Sequence, residues 1–444
     1  MQNLESLIRR ALVPVVIAGA CLVPAALDSA IAAPAAPKCA EPSPGVCPPQ
    51  FSHVWTIVLE NSGVYTSFGL GQVAAPYLAR TLPLEGAFLP NYYGTGHSSL
   101  DNYIAMTSGQ APNSKTQGDC TDPGQLGQND PTYHIDGAGQ AIGTVGCTYQ
   151  TDVPNIGSQL TKAHRSWKAY NETMDAYPGV KRTHCQGPDT YNGGRWQSSP
   201  DPNADPRTAS QPERDSYRAK HNPFVYYENL TSDLDYCDAH DVPLGAFGTD
   251  ATHPNTYDTL GTLRRDLAKE KTTPAYSFIT PNQCSDGHDD CTSGTPGQED
   301  PAAKLAQMDA FLQKVVPMIQ ASPAYGAPAH PKGLIIITFD EGTDSFACCD
   351  EQPSPELAHE GNGGMNGDPF GPGGGIVGAV ALSPAITPGT VSVQPYNHYS
   401  YLRTVEDVFG LPHIAYAADS AYPLASPTDQ PGGTPKPFGP DVFG

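Results

Sequence analysis

Two short apolar runs in this chain end on acid. Val54-Trp55-Thr56-Ile57-Val58-Leu59 stops at Glu60-Asn61, and Leu334-Ile335-Ile336-Ile337-Thr338-Phe339 stops at Asp340-Glu341. Continuous runs of this length, rich in β-branched residues, predict strands buried on both faces of a parallel sheet. Similar runs predict strands over 166–170, 276–280 and 376–382. Helical spacing marks three other stretches. In 99–106, Leu100, Tyr103, Ile104 and Ala105 suit one face; in 302–321, Leu305, Met308, Phe311, Leu312, Val315 and Ile319 form a stripe; 398–409 is the third. Pro317 predicts a kink or an end in the last turn of the second helix. Helices alternating with buried strands predict one α/β domain with long loops. Ligands of such folds gather beyond the carboxyl ends of the strands. Carboxylate and amide oxygens brought to that edge make a cradle for a divalent cation.

The segments between these elements are polar and rich in turn residues, with 46 prolines and 45 glycines in 444 residues. Residues 110–150 predict an irregular excursion, 186–215 a surface insertion, and 342–375 a flap over the strand ends. The net charge of −22 argues against a nucleic-acid partner, because phosphate backbones are held by Lys/Arg patches. It argues equally against loose docking on anionic lipid. An anionic substrate stays possible, since a bound metal inverts the local charge.

The N-terminus predicts export. Arg9-Arg10 precede an apolar stretch from Ala11 to Leu27, followed by the small-x-small site Ala30-Ile31-Ala32. That stretch is short for a membrane span and carries Pro14 and Pro24, so removal is favoured over a stable membrane anchor. A twin-arginine signal at Arg9-Arg10 and a lipoprotein site at Cys21 are the rivals. The expected division is a signal peptide over 1–32, an Ala/Pro-rich linker over 33–50, a catalytic domain over 51–415 and a Pro/Gly-rich, peripheral tail over 416–444. Cleavage leaves ten of the 11 cysteines, an even number that suits disulfides in an exported chain. The local pairs expected are Cys39–Cys47, Cys120–Cys147, Cys185–Cys237 and Cys284–Cys291. Cys348 and Cys349 are adjacent, which strains a direct bond, so each is expected to bond elsewhere or stay reduced.

Gly96-His97-Ser98-Ser99-Leu100-Asp101-Asn102-Tyr103 opens the first helix. A serine there is either a cap or a nucleophile beside free N–H groups that favour an anion. His288 follows Asp286 after one predicted strand, and His398 opens a helix; each is either structural or catalytic. Asp286 either orients His288, ligates metal or turns the chain. His97 lies near the site or on the loop surface.

In order along the chain stand Glu60-Asn61, Asn91-Tyr92-Tyr93, His97 to Tyr103, Thr338-Phe339-Asp340-Glu341, Tyr396 to Ser400, and Arg403 to Asp407. Over residues 52–412 this series resembles the phosphoesterase family of bacterial phospholipases C and metal-dependent acid phosphatases. The resemblance implies an alkaline-phosphatase-like three-layer sandwich, a mostly parallel sheet with helices on both faces. It implies that Glu60, Asn61, Asp340 and Glu341 hold a metal, with Ser99 as nucleophile and further ligand. Ser98 and Asp101 stand where the family carries prolines, which leaves Ser98 as a rival nucleophile. After Glu341 the sequence departs from the family pattern, so His359 is given no role. His288 and His398 would contact the phosphoryl group or protonate the leaving oxygen, and Asn102 and Asp286 would bind substrate. Oxygen ligands permit Mg, Ca or Mn; nearby histidines permit Zn.

The expected activity is metal-dependent hydrolysis of a phosphoric ester, with a small phosphomonoester favoured over a phospholipid. A sulfatase would need a Cys-x-Pro-x-Arg site, which the chain lacks. A non-catalytic secreted protein stabilised by metal is the alternative from another class.

Overall fold

The structure, a computed structural model of the chain, describes residues 48–120, 130–143, 146–174, 217–247, 257–292, 299–349, 351, 373–418 and 436–444. The expected signal peptide, most of the linker, Cys21, Cys39, Cys47, Cys185, the insertion over 186–215, His359 and most of the flap and tail lie outside these residues.

The main sheet has eight strands. In chain order they are β1 (His53–Leu59), β2 (Ala87–Leu89), β3 (Trp167–Asn171), β4 (Asp241–Pro243), β5 (Tyr276–Thr280), β6 (Gly333–Phe339), β7 (Ala379–Leu382) and β8 (Thr390–Val391). Their order across the sheet is β8-β2-β7-β6-β1-β5-β3-β4. The five strands from β6 to β4 run parallel. On the other side β7 pairs antiparallel with both β6 and β2. Every residue of β1, β5 and β6 is buried, as their unbroken apolar sequence requires. The run over 376–382 therefore forms a buried strand, shorter than expected and antiparallel. Gly378 in the left-handed region (φ 76°) precedes it.

Three helices matter for the site. Helix α1 (Ser99–Ser108) is buried along its whole length, and Gly109 at φ 66° ends it. Helix α2 (Pro301–Gln320) starts at Asp300, whose side chain accepts from Ala302 N–H, and buries the expected stripe. It continues through Pro317 to Gln320, so the proline does not stop it; only the last turn lies beyond. Helix α3 (His398–Phe409) is capped by the Asn397 side chain on Ser400 N–H.

Cys120–Cys147 and Cys284–Cys291 are paired as expected. Cys237 is disulfide-bonded. Cys348 and Cys349 bond to each other, against expectation; Cys349 adopts a left-handed backbone (φ 66°) there. The chain end also departs from a peripheral tail: Phe438 and Val442 are fully buried, and the Phe438 ring packs against Tyr92 and Tyr396. Among the described residues no helix is long and apolar enough to cross a membrane.

Candidate active site

Strand register assembles the site. β1 and β6 are parallel neighbours with Leu59 opposite Phe339, so the next residues, Glu60 and Asp340, emerge side by side. On the other flank of β1, the loop after β5 returns Asp286, whose carbonyl accepts from Glu60 N–H at 3.0 Å. Three adjacent strands thus bring Asp340, Glu60 and Asp286 to one edge, all fully buried.

Asn61 follows with a left-handed backbone (φ 42°), a conformation asparagine tolerates better than most residues. That turn lets its N–H donate to Asp340 Oδ1 at 2.9 Å. One arm of its side-chain amide lies 3.2 Å from Glu341 Oε1 and 3.3 Å from Asp340 Oδ2. With nitrogen turned toward them, Asn61 donates to both carboxylates. With oxygen turned toward them, the three groups present one oxygen face, the donor set that a hard divalent cation takes. The residues present therefore fit a metal.

Ser99 is the first residue of α1. Its hydroxyl donates to Glu60 Oε2 at 3.0 Å, and Tyr103, one turn on, donates to Glu60 Oε1 at 2.5 Å. Ser98 points elsewhere, donating to the Gln117 carbonyl at 2.5 Å. The structure thus brings Ser99, Glu60, Asn61, Asp340 and Glu341 together and leaves Ser98 outside the cluster.

Asn102 was expected to bind substrate. It is fully buried and its amide is committed to its own loop. The oxygen accepts from Thr95 and Gly96 N–H, and the nitrogen donates to the Gly96 and Ser98 carbonyls and to Asp101. It positions the turn that carries Ser99. Gly96 is required in that turn, because a Cβ there would stand 2.5 Å from Asp101 Oδ1.

His398 also departs from expectation. It is fully buried, and Nε2–H donates to the Asp340 carbonyl at 2.6 Å. Nδ1 is then the acceptor for Tyr92 OH at 3.1 Å. Burial pushes its pKa down to about 4. A neutral ring with both nitrogens engaged braces Asp340 and has no proton to deliver. His288 keeps a partly exposed ring, with Nδ1 2.8 Å from Asp289 Oδ1. Asp286 does orient its neighbour's backbone, accepting from His288 N–H at 2.7 Å.

Three residues beyond the strand-end pairs enlarge the site. His97 Nδ1 pairs with Glu341 Oε2 at 3.1 Å, and that bond raises the imidazole pKa against the opposing effect of burial. Lys220 Nζ donates to Asp119 Oδ2 at 2.8 Å, and Asp119 Oδ1 accepts from Leu100 N–H at the start of α1. His221 is wholly buried, with Nε2 3.4 Å from Glu60 Oε2 and Nδ1 3.5 Å from Asp286 Oδ2. Sequence reasoning missed Lys220 and His221. They occupy a three-residue helical turn (Ala219–His221), too short for periodicity. The aromatic run Phe224-Val225-Tyr226-Tyr227 just after them was the one signal that the chain re-enters the core there.

Burial raises the pKa of Glu60, Asp286, Asp340 and Glu341; repulsion from neighbouring acids adds to it at Glu60, Asp286 and Glu341, the last pushed up to about 7, whereas hydrogen bonds from Glu60, Asn61 and Glu341 and the Lys220 charge oppose it at Asp340. Four acids so placed are short of positive charge. Burial holds His221 well below the ordinary histidine range, which leaves it neutral.

A protein-family model, the Phosphoesterase family, matches residues 73–412; the match begins after Glu60-Asn61. A phosphatidylinositol-3-phosphatase of Mycobacterium tuberculosis is 22% identical over 84% of this chain and 81% of its own. A phosphate-repressible acid phosphatase of Penicillium chrysogenum is 25% identical over 75% of this chain, and a probable acid phosphatase of Kluyveromyces lactis is 23% identical over 82%. The chain spans 54% and 59% of those two fungal relatives respectively. A solved structure in the alkaline phosphatase superfamily, from Vibrio parahaemolyticus, superposes with a TM-score of 0.42 at 11% identity, over 82% of this chain and 67% of that one. The chain belongs to the phosphoesterase family and is a hydrolase of phosphoester bonds.

Proposed function

We propose that the chain is an exported, metal-dependent phosphatase that cleaves phosphomonoesters through a phosphoserine at Ser99. The observation that carries this reading is the Ser99 hydroxyl held 3.0 Å from Glu60 Oε2, at the head of a buried helix, in a site that also holds the buried Asp286 and Asp340 and the partly buried Glu341. Glu60, Asn61, Asp340, Glu341 and the Ser99 oxygen would hold the ion. A divalent cation there would lower the pKa of the serine hydroxyl and neutralise a phosphoryl oxygen.

The protein's own groups do the rest. Ser99 Oγ forms a bond to phosphorus as the ester oxygen leaves, and Glu60 Oε2 is the acceptor in contact with the serine proton. The leaving alkoxide takes a proton from a partly exposed imidazole; His288 and His97 qualify, whereas His398 does not. Water then attacks phosphorus and the same imidazole accepts its proton; the Ser99 Oγ–phosphorus bond breaks, phosphate leaves, and Glu60 returns the proton to the serine oxygen. Lys220, beside the N-terminus of α1, offsets negative charge around Glu60 and Asp340.

The names of the relatives favour a monoester over a diester: the group named for the mycobacterial protein, the 3-phosphate of a phosphatidylinositol, is a monoester on a lipid headgroup. Disulfides at Cys120–Cys147 and Cys284–Cys291 suit an oxidising compartment, in keeping with export by the N-terminal segment.

p-Nitrophenyl phosphate, its choline diester and phosphatidylcholine should be assayed side by side, before and after chelation. The expected result is preferential monoester hydrolysis that chelation abolishes and divalent cations restore. Preference for phosphatidylcholine would make the chain a phospholipase C, and activity surviving exhaustive chelation would remove the metal from the mechanism.

A further inference from the structure

Glu60 is flanked by ligand-type groups on two sides. Asn61, Asp340 and Glu341 make the oxygen face described above. On the other side stand His221 and Asp286. One donor atom from each of Glu60, His221 and Asp286 lies within 4.8 Å of the others, and all three residues are buried.

The contacts within this trio are not those of a hydrogen-bonded triad. Each ring nitrogen of His221 faces a carboxylate, at 3.4 and 3.5 Å, longer than an ordinary N–H···O bond. Among the described residues neither ring nitrogen of His221 has a hydrogen-bond partner, and neither does Asp286 Oδ2. Buried polar atoms are rarely left so; Nε2 stands beside a Glu60 oxygen and Nδ1 beside an Asp286 oxygen, and one donor atom from each residue comes close enough to the others to share an ion. Ligands bound at about 2.0–2.1 Å around a tetrahedral ion sit roughly 3.3 Å apart, close to the separation of His221 Nε2 from Glu60 Oε2.

The surroundings fix the donors as a metal site's supporting groups do. The Tyr103 ring lies flat against His221, with centroids 5.6 Å apart and planes 9° apart. The same tyrosine donates its hydroxyl to Glu60 Oε1, so one side chain orients two of the three donors. The backbone bond from Glu60 N–H to the Asp286 carbonyl ties the third to the first.

We propose that Glu60, His221 and Asp286 form a second divalent-cation position, distinct from the oxygen face of Asn61, Asp340 and Glu341 and sharing Glu60 with it. Its imidazole donor suits zinc or a similar transition ion, whereas the all-oxygen face suits magnesium, calcium or manganese. The proposal goes beyond the phosphatase reading and does not need the oxygen face to be filled.

Elemental analysis of the full chain saturated with zinc and manganese together should find two ions in the wild type, and one in both His221→Gln and Glu341→Gln. Anomalous scattering at the zinc edge from wild-type crystals should place one of them within about 2.3 Å of a His221 nitrogen. Loss of an ion in His221→Gln but not in Glu341→Gln would uphold this position and remove the oxygen face from the reading above. Unchanged metal content in His221→Gln, or a zinc-saturated crystal with no peak at His221, would overturn the second position and leave the first intact. The crystal measurement decides even if the variant does not fold.

Discussion

The two sides of Glu60 are built differently. On the Asn61–Asp340–Glu341 side, every donor follows directly from the end of a buried strand, and parallel register between β1 and β6 aligns them. On the His221–Asp286 side, the donors arrive from a short helical turn and from the loop after β5, held by Tyr103 stacking and a backbone bond. The first arrangement depends on the sheet, which cannot slip without unburying a strand. The second depends on a few side chains and can be altered one residue at a time. The sheet supplies acids in a fixed row, and the loops supply what distinguishes one side of that row from the other.

Changes at Glu60 break both sides at once and carry the largest expected effect. Glu60→Gln should lower kcat/KM by at least about a thousand-fold, in the range seen when one member of a group acting as a unit is removed, while far-UV circular dichroism is unchanged. Near wild-type turnover in this variant would mean that the carboxylate beside Ser99 does no chemistry.

The next effect separates bracing from proton transfer. His398→Phe should destabilise the chain by about 2–4 kcal/mol, since it strands the Asp340 carbonyl and Tyr92 hydroxyl in the interior. Its pH–rate profile should keep the wild-type limbs. His288→Asn should leave the melting temperature nearly unchanged; loss of the leaving-group acid's limb from its pH–rate profile would assign that role to His288, and an unmoved limb would assign it to His97. The opposite pattern would return His398 to the chemistry.

A smaller effect tests the charge on the oxygen side. The folded pKa of Glu341 is about 7 against an ordinary 4.5, raised chiefly by burial. Between those values the metal-free folded chain keeps a proton that the unfolded chain releases, so this group's contribution to stability falls as pH rises from about 4.5 to 7. Glu341→Gln removes that dependence. In the metal-free protein its stability relative to wild type should climb across this window by on the order of 1–3 kcal/mol. Added divalent cation should abolish the difference by favouring the ionised carboxylate. Melting curves at pH 5 and pH 8, with and without chelator, measure it; no pH trend would place Glu341 in a wetter setting than the structure gives it.

The same contrast explains what could be read from the chain itself. The strands ending at Leu59 and Phe339 were legible because burial on both faces leaves an unbroken apolar run, and the run's end fixes where the acids emerge. Ser99 was legible as one of two candidates; only the fold turns Ser98 toward Gln117 and Ser99 toward Glu60. A histidine opening a helix looks the same from sequence whether its ring faces substrate or a carbonyl; only the fold shows the His398 ring on the Asp340 carbonyl. His221 left no pattern, because a single turn has no period and its partners Glu60 and Asp286 are distant in sequence. The Cys348–Cys349 bond ran against expectation since adjacency alone argues strain, and the left-handed backbone at Cys349 is visible only in three dimensions.

The central claim is that Ser99 takes the phosphoryl group. Acid-quenched enzyme, mixed with a phosphomonoester for less than one turnover and digested, should carry one phosphate, mapped by mass spectrometry to Ser99. Phosphate on Ser98 or a histidine, or undiminished hydrolysis by Ser99→Ala with no labelled enzyme, would contradict it.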